Sequence, residues 1–355
     1  SNPAFLAARG ITGLPDEYYQ RQYTHFLSHE KAAFGQLTYR FTDKVWATGG
    51  VRYGKVDSQG FTEAGGYNSS YLTNALLGIR GPLTLVPYPA ATGVKATGSK
   101  PSFKVSLSYK PLSTLTTYAT VSTGFRKPVV NAFAGRPSLV NPSDLIIPTG
   151  ASSDDLVNYE AGAKGRFLNG RVAANLAVYL IDWSNIQVQA NRVSDSVQFA
   201  TNIGAARSKG IEFELLAYPS KGLTVGLNGS LNEAKVTELT PAEAAISGAV
   251  VGARLASPKV QGALFVNYGW DLTPSAKANL SVVLQHVGSY PGSFPHVPGQ
   301  PTVTSSTYGF TDSYQNVNAT FAVAMGQTTI GAYVENLFDD HSITYVHPEA
   351  FLASR

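Results

Sequence analysis

Apolar and polar residues alternate with a period of two along most of the chain. In residues 102–110 every second position is apolar, at Phe103, Val105, Leu107 and Tyr109, and the positions between them are Ser or Lys. An extended segment of this kind has one apolar and one polar face, so it is predicted to be a β-strand. About thirteen segments are predicted as strands: 19–29, 31–41, 44–56, 102–110, 115–123, 156–167, 171–182, 202–218, 223–232, 259–270, 277–286, 316–324 and 328–335.

The connections between these strands alternate between short and long. Several strands reach 10 to 12 residues, which suits a tilted crossing of a bilayer. The pattern therefore predicts an all-β fold, an antiparallel transmembrane β-barrel meander with tight turns at one rim and long loops at the other. Short turns lie at 42–43, 111–114, 168–170, 219–222, 271–275 and 326–327, long connections at 57–101, 124–155, 235–258 and 288–312, and one short link, 191–196, falls on the long side.

Composition agrees with a barrel and excludes several other classes. Charged residues make up 14% of the chain, the mean hydropathy is −0.04, and no apolar run is long enough for a transmembrane helix. A strand barrel averages lipid-facing and lumen-facing residues, so near-neutral hydropathy is expected of it. The net charge of +4, without a dense basic block, argues against nucleic acid as a partner, and the absence of cysteine excludes disulfides and thiol chemistry.

No catalytic pattern is present in the sequence. The six histidines form no HExxH-type spacing, and no Walker or dinucleotide-binding glycine pattern occurs. We therefore expect no enzyme activity, no catalytic residues, no cofactor and no protein-bound metal. Aromatic residues near predicted strand ends are expected to form girdles at the headgroup level: Phe41, Tyr53, Tyr109, Phe167, Tyr218, Tyr268 and Trp270.

Four segments resemble TonB-dependent outer-membrane receptors. They read YATVSTGFRKP at 118–128, YEAGAK at 159–164, NIGAARSKGIEFE at 202–214 and VENLFDD at 334–340, with FGQLTYRF at 34–41 upstream. Their order and spacing resemble the barrel half of that family over nearly the whole chain. The motif residues that we single out are Arg126, Asn202, Lys209 and Asn336.

The resemblance implies a partial barrel. Family members have 22 strands, an N-terminal plug domain and a TonB box, and this chain shows no counterpart of the plug or the box. Residues 1–355 are therefore expected to be one partial barrel domain that lacks the plug, the first strands and the last strand. An open sheet would leave unpaired edges in lipid, so the sequence is expected to be part of a longer protein.

The function implied by the resemblance is TonB-dependent uptake of a scarce nutrient across the outer membrane of a Gram-negative bacterium. The nutrient would most often be a ferric siderophore, and the partners would be the plug, the inner-membrane TonB complex and outer-membrane lipid. A passive porin or a surface adhesin is the alternative, although neither requires the four family segments. A soluble β-sandwich or β-helix is a further alternative, which rarely sustains such long strands. The sequence does not identify the ligand.

Charged residues within the strands are candidates for the barrel interior. Glu160 and Lys164 share one face of their strand, as do Glu212 and Glu214. Lipid-facing charge is costly, so these four side chains are expected to face the lumen. The resemblance implies contact with a plug, and the alternative is that they only line a wet interior. Arg126 lies where a strand enters a long loop, so a structural contact is favoured over substrate contact.

Ligand capture is expected in the long loops, which meet the medium first. Loop residues that combine aromatic surface with polar groups are the candidates, although each alone is more often a loop packing residue. His and Tyr side chains could also ligate iron directly, but a siderophore already saturates Fe(III) with oxygen donors. The candidates are Tyr67, Tyr71, Phe133, Arg136, Tyr290, Phe294, His296 and Tyr308.

Overall fold

The computed structural model describes residues 20–66, 94–138, 141–194, 197–305, 308–346 and 353–354. Within these ranges twelve strands form one antiparallel sheet in which each strand pairs with its neighbours in the chain. The strands are β1 (Gln20–Arg40), β2 (Val45–Gly66), β3 (Val94–Leu112), β4 (Leu115–Phe125), β5 (Asp155–Phe167), β6 (Val172–Asn191), β7 (Gln198–Ser220), β8 (Leu223–Glu238), β9 (Val260–Thr273), β10 (Ala276–Val287), β11 (Tyr314–Met325) and β12 (Thr328–Val334).

The predicted antiparallel meander is confirmed, and its strand count changes slightly. The two segments predicted at 19–29 and 31–41 are one strand, β1, paired with β2 along its whole length. Because consecutive strands run in opposite directions, the connections alternate between two rims, so the short turns and the long loops lie at opposite ends as predicted. In the described part of the chain, β1 and β12 each pair on one side only, which leaves the sheet open.

Several strands are longer than the alternation predicted. Strand β1 has 21 residues, β2 has 22 and β7 has 23, whereas about 9 to 11 residues cross the hydrocarbon. Much of the connection predicted at 57–101 is therefore strand, since β2 reaches Gly66 and β3 begins at Val94. Beyond the bilayer both faces of a strand are wet, so alternation fades although the backbone pairing continues.

The two faces of the sheet differ in chemistry. One row across β7 to β10 consists of Leu215, Leu227, Leu264 and Leu284, which are direct cross-strand partners. The next row along these strands, which points to the opposite face, contains Glu214, Asn228, Ala263 and Gln285. A cavity on the polar face is lined by residues from β4 to β11, so that face is concave and the leucine face is convex.

Aromatic residues follow the convex face near the short turns. Tyr268 stacks on Trp270 with ring centroids 5.0 Å apart, and Tyr39 meets Phe41 edge-on at 5.0 Å. Tyr53 does not lie at a strand end as predicted, because β2 continues to Gly66. It follows Val45 by eight residues, which is close to the length of one bilayer crossing.

Most of the buried apolar residues lie at the long-loop end of the sheet, and Ala276 and Ala278, beside a short turn, are exceptions. Ile186, Ile203, Ala206 and Ala249 form one cluster, and Ile147, Ala190 and Phe199 form a second. The loops that follow β4 and β8 cover the ends of β6 and β7 there. The sheet therefore has its dry core where its loops fold back on it.

A short helix lies in the loop after β8, where the sequence analysis expected only a connection. Helix α1 (Pro241–Ser247) begins with a capping box in which Thr240 and Glu243 bond each other's backbone, and Pro241 occupies its first turn. Gly248 ends it with φ of 70°, and a Cβ there would lie 2.0 Å from the His296 carbonyl oxygen. Among the described residues, no helix is long and apolar enough to span a membrane.

The two-faced sheet predicts opposite responses to one charge at neighbouring positions. Leu227→Arg places the charge among the leucines of the convex face and should lower the free energy of unfolding in lipid vesicles by about 2 to 4 kcal/mol. Asn228→Arg, the matched control, points to the polar cavity and should change stability little. Urea unfolding and heat-modifiability measure both; equal destabilisation by the two variants would contradict this assignment of faces.

Candidate functional site

The concave face carries a polar cavity of about 780 Å³, called here the wall cavity. The four charged residues predicted for the lumen, Glu160, Lys164, Glu212 and Glu214, all line it. The Tyr118 hydroxyl donates to Glu160 at 2.7 Å, and the Lys164 ammonium lies 5.4 Å from the Tyr118 ring centroid. Three carboxylates against one ammonium give this wall a formal charge of −2.

A second cavity of about 780 Å³ lies at the long-loop end and is called here the loop-side cavity. The end of β6, the loop with α1 and the loop after β10 enclose it. These two loops are joined by backbone bonds, from the His296 N–H to the Gly248 carbonyl at 3.1 Å and from the Gly299 N–H to the Ala245 carbonyl at 2.6 Å. Its lining combines apolar side chains with Arg126, Arg192, Arg254 and His296.

Arg126 is held in place by a buried acid. Its Nε donates to Asp154 at 2.6 Å, its backbone N–H donates to the same carboxylate at 2.9 Å, and its guanidinium lies 4.5 Å from the Trp183 ring centroid. The Asp154 side chain is 0% exposed. Burial alone would raise the pKa of Asp154, but the hydrogen bonds and charge of Arg126 outweigh it and hold the pKa below its ordinary value.

Polar side chains fasten the loop after β4 to β6 and β7. Asn131 donates to the Ala200 carbonyl at 2.9 Å and accepts from the Ala200 N–H at 2.7 Å. Asn202 accepts from the Ser152 N–H at 2.7 Å and donates to the Asn185 carbonyl at 2.8 Å. Arg192, which is 4% exposed, donates to the Arg136 carbonyl at 2.7 Å. This loop is therefore held in place beside the loop-side cavity, which it reaches at Arg126.

The predicted loop residues are divided among different surroundings. Phe294 and His296 line the loop-side cavity, as does the motif residue Arg126. Phe133 packs against the cluster of Ile147, Ala190 and Phe199, and the Arg136 guanidinium lies 5.1 Å from its ring centroid.

Two other predicted loop residues, Tyr290 and Tyr308, do not line that cavity. The Tyr290 hydroxyl donates to the Thr344 carbonyl at 3.0 Å, and Tyr308 meets Phe310 edge-on at 5.6 Å. Tyr67 and Tyr71 lie outside the described residues.

The remaining motif residues make structural contacts. Lys209 lies 3.4 Å from Glu233, on the face of β7 opposite Glu212. Asn336 has φ of 48°, accepts from the Asp340 N–H at 3.0 Å and donates to the Asp340 carbonyl at 3.0 Å, which closes the turn after β12.

Four of the aromatic and cationic residues that line the loop-side cavity were not predicted from the sequence. Trp183 lies one residue beyond a predicted strand, and Arg192, Arg254 and Tyr345 lie in or near connections without a periodic pattern. Helix α1 carried a readable signal, since Thr-x-x-Glu with Pro in the first turn is a capping box.

Comparison with known proteins identifies the family. The family model described as TonB dependent receptor-like, beta-barrel, matches residues 3–337. The chain belongs to the TonB-dependent receptor family. This family consists of transport receptors of the Gram-negative outer membrane.

Solved TonB-dependent receptors share the fold of this chain. The ferric yersiniabactin uptake receptor FyuA from Yersinia pestis is 18% identical to this chain, with a TM-score of 0.63. The match covers 92% of this chain and 43% of the FyuA chain. The ferric-catecholate import receptor Fiu from E. coli K12, in its closed form, is 15% identical to this chain, with a TM-score of 0.63. The match covers 93% of this chain and 43% of the Fiu chain. The chain thus spans less than half the length of these receptors.

One curated relative matches over a shorter stretch. The ferric-pyoverdine 358 receptor of Pseudomonas putida is 32% identical over 90 residues, which is 24% of this chain and 11% of that protein. Within the residues that the structure describes, no group of three or more His, Cys, Asp or Glu side chains is placed to hold a metal ion.

The Arg126–Asp154 pair predicts a local effect of mutation in this TonB-dependent receptor. Asp154→Asn leaves Arg126 without its charged partner, so hydrogen exchange in the loop after β4 should speed up, equivalent to about 1 to 3 kcal/mol of lost protection. Asp339→Asn is the matched control, because Asp339 is 85% exposed and its pair with His341 contributes little.

The Arg126–Asp154 pair also determines how the hydrogen-exchange protection of the loop after β4 changes with pH. Because the pKa of Asp154 is lowered by folding, its contribution is complete above the ordinary value of 3.8 and is lost as pH falls through the lowered value. Protection of this loop should therefore fall in acid in the native protein and depend less on pH in Asp154→Asn. Unchanged protection in the variant would show that the pair does not fasten the loop.

Proposed function

We propose that this chain is the barrel part of a receptor that takes up a ferric siderophore across the outer membrane of a Gram-negative bacterium. The observation that carries the proposal is the loop-side cavity, a partly open space at the long-loop rim with aromatic and cationic side chains. Cavities of this size and lining suit a ligand of several hundred daltons. The similarity to FyuA, Fiu and the P. putida relative, which are receptors for ferric yersiniabactin, ferric catecholates and ferric pyoverdine, supports the substrate class.

A passive porin is a weaker explanation of the same features. A porin needs an open aqueous lumen, whereas the loops after β4, β8 and β10 fold over the end of this sheet and bury apolar clusters there. In the proposed receptor, energy comes from an inner-membrane TonB complex that acts on a plug domain in the part of the protein outside this chain.

We further propose that the wall cavity receives the plug. Glu212 lines this cavity and has no hydrogen-bond or ion-pair partner among the described residues, whereas Glu160 and Glu214 accept bonds from Tyr118 and Asn175. An unpaired carboxylate on a wall with a formal charge of −2 is suited to a cationic side chain of the plug. The alternative, in which the wall carboxylates only face water, predicts no effect of their removal on uptake.

Iron uptake tests the receptor function. Iron-starved cells that lack the complete gene should take up less radioactive iron from siderophore mixtures than cells that carry it. In complemented cells, Phe294→Ala and His296→Ala should each weaken siderophore binding about 5- to 30-fold, because each removes a lining contact worth about 1 to 2 kcal/mol.

Phe338→Ala supplies the control, since Phe338 is a 72% exposed aromatic residue that does not line the cavity. Barrel heat-modifiability should be native in all three variants. Equal uptake with and without the gene would refute siderophore import, and native binding in both lining variants would remove Phe294 and His296 from the site.

The plug contact calls for a different measurement. Glu212→Gln should leave external siderophore binding nearly intact, while uptake slows or small solutes leak through the barrel, because the carboxylate contacts the plug and not the ligand. Glu238→Gln, which removes an exposed carboxylate that lines neither cavity, should behave like the native protein. Equal loss of binding and uptake in Glu212→Gln would mean that this wall touches the ligand.

A further inference from the structure

The charged residues that line the loop-side cavity have one sign only. Arg126, Arg192 and Arg254 line it, and no Asp or Glu does. Arg126 is compensated by Asp154, and Arg192 lies near Asp144, whose pKa its charge helps to lower. No carboxylate of the described residues lies within 4.0 Å of Arg254. The cavity therefore contains one cation whose charge is left for a ligand to balance.

The backbone fixes the position of Arg254. The segment that carries it pairs with the end of β8, through the Leu255 N–H to the Ala234 carbonyl at 3.0 Å and the Val236 N–H to the Ala253 carbonyl at 2.9 Å. One terminal nitrogen of the guanidinium, Nη2, donates to the Ser289 carbonyl at 3.1 Å and lies 3.4 Å from the Ser257 carbonyl. Arg254 thus bridges two loops from one edge of its guanidinium.

Two nitrogens of the Arg254 guanidinium remain available as donors. An arginine has five N–H donors, and both hydrogen bonds of the Arg254 side chain use Nη2, while the guanidinium carbon lies 5.7 Å from the Phe310 ring centroid. Nε and Nη1 accordingly have no acceptor among the described residues, and they are not among the buried polar atoms that lack a partner. The Nε–H and Nη1–H groups point in different directions, because Cδ lies between these two nitrogens, so each of them can donate to one oxygen of an anion.

The rest of the lining is suited to an apolar group. Trp183, Phe294 and Tyr345 contribute rings, and Ile186, Leu255 and Val297 contribute aliphatic surface. A small hydrophilic anion would leave this surface uncovered, whereas a ligand with a ring or an acyl chain would bury it at about 25 cal/mol per Å². The lining also offers little to a bare copper(I) ion, which prefers thiolate and thioether sulfur, because the chain has no Cys and one Met.

We propose that the loop-side cavity selects anionic chelates that carry an aromatic or acyl group, and that Arg254 is the residue that binds their anionic oxygens. This inference rests on the proposed uptake function and narrows its ligand. A cationic chelate would bring like charge to Arg254 in a partly dry site, where charge interactions are stronger than in water. The sign of the chelate's charge and the presence of an apolar group on it therefore determine together which chelates the cavity binds.

Three defined iron complexes test this selectivity on the complete receptor in detergent. The probes are the ferric complexes of N-(2,3-dihydroxybenzoyl)glycine, an anion with a ring, of citrate, an anion without one, and of desferrioxamine B, a cation without one. Quenching of intrinsic tryptophan fluorescence gives the affinities, since Trp183 lines the cavity. The aromatic anion should bind at least about tenfold more tightly than either of the other two complexes.

Three variants assign the charge to Arg254. Arg254→Gln should weaken binding of the aromatic anion about tenfold or more and reduce the salt dependence of its affinity. Arg254→Lys keeps the positive charge, so it should retain part of the affinity and part of its salt dependence. Lys127→Gln is the matched control, because it removes an exposed cation near the same rim that does not line the cavity. It should bind all three probes as the native receptor does.

The outcomes separate this inference from the uptake function. Preference for the cationic complex, binding of none of the three probes, or native affinity and salt dependence in Arg254→Gln would each overturn the ligand class. Uptake of any ferric siderophore by iron-starved cells would still support import in those cases. If Arg254→Gln does not fold, the salt dependence in Arg254→Lys and in the native receptor decides: an aromatic-anion affinity that is independent of salt in both overturns the role of Arg254.

Discussion

The rest of this structure depends on one constraint, which is that neighbouring strands supply the hydrogen-bond partners of the backbone N–H and C=O groups. A segment that crosses hydrocarbon must pair every N–H and C=O within protein, and an antiparallel meander does so strand by strand. Extended pairing then forces successive side chains to opposite faces. The leucine row of the convex face and the row with Glu214 and Asn228 on the concave face are direct consequences. Charge can accumulate on the concave face only because the other face carries the apolar contact with lipid.

The same pairing continues beyond the length of the bilayer and builds the functional end of the molecule. Strands β6 and β7 remain paired to Asn191 and Gln198, and their ends provide the floor on which the loop after β4 is fastened. Loops that carry many backbone polar groups need such partners, and Asn131, Asn202 and Asp154 supply them. The loop after β4 is thereby fixed beside the loop-side cavity, which it reaches at Arg126. The loop with α1 and the loop after β10 border the same cavity and are joined to each other through Gly248 and His296.

The alternation of apolar and polar residues predicted the strand segments that have one wet face and one apolar face. It did not predict the strand segments whose two faces do not differ in this way. The strand at 223–232 was correctly assigned, and it lies within β8. Residues 57–66 were assigned to a loop because the sequence there has no apolar–polar alternation, although the pairing of β2 continues. At the site, Phe294 and His296, which were named as ligand-binding candidates from their loop and chemistry, line the loop-side cavity. Arg254 could not be, because its position depends on pairing with β8 and on a carbonyl of another loop.

The opposite charges of the residues that line the two cavities bear on the order of events in the proposed uptake. The loop-side cavity is lined by cations, and the wall cavity carries a formal charge of −2. An anionic chelate attracted to the first is repelled by the second, so a favourable capture site is followed by an unfavourable passage. A cationic surface of a seated plug would neutralise the wall, and moving the plug would expose its charge again. Capture can then proceed without energy, whereas passage requires work on the plug, which is the step at which coupling to an energy source is useful.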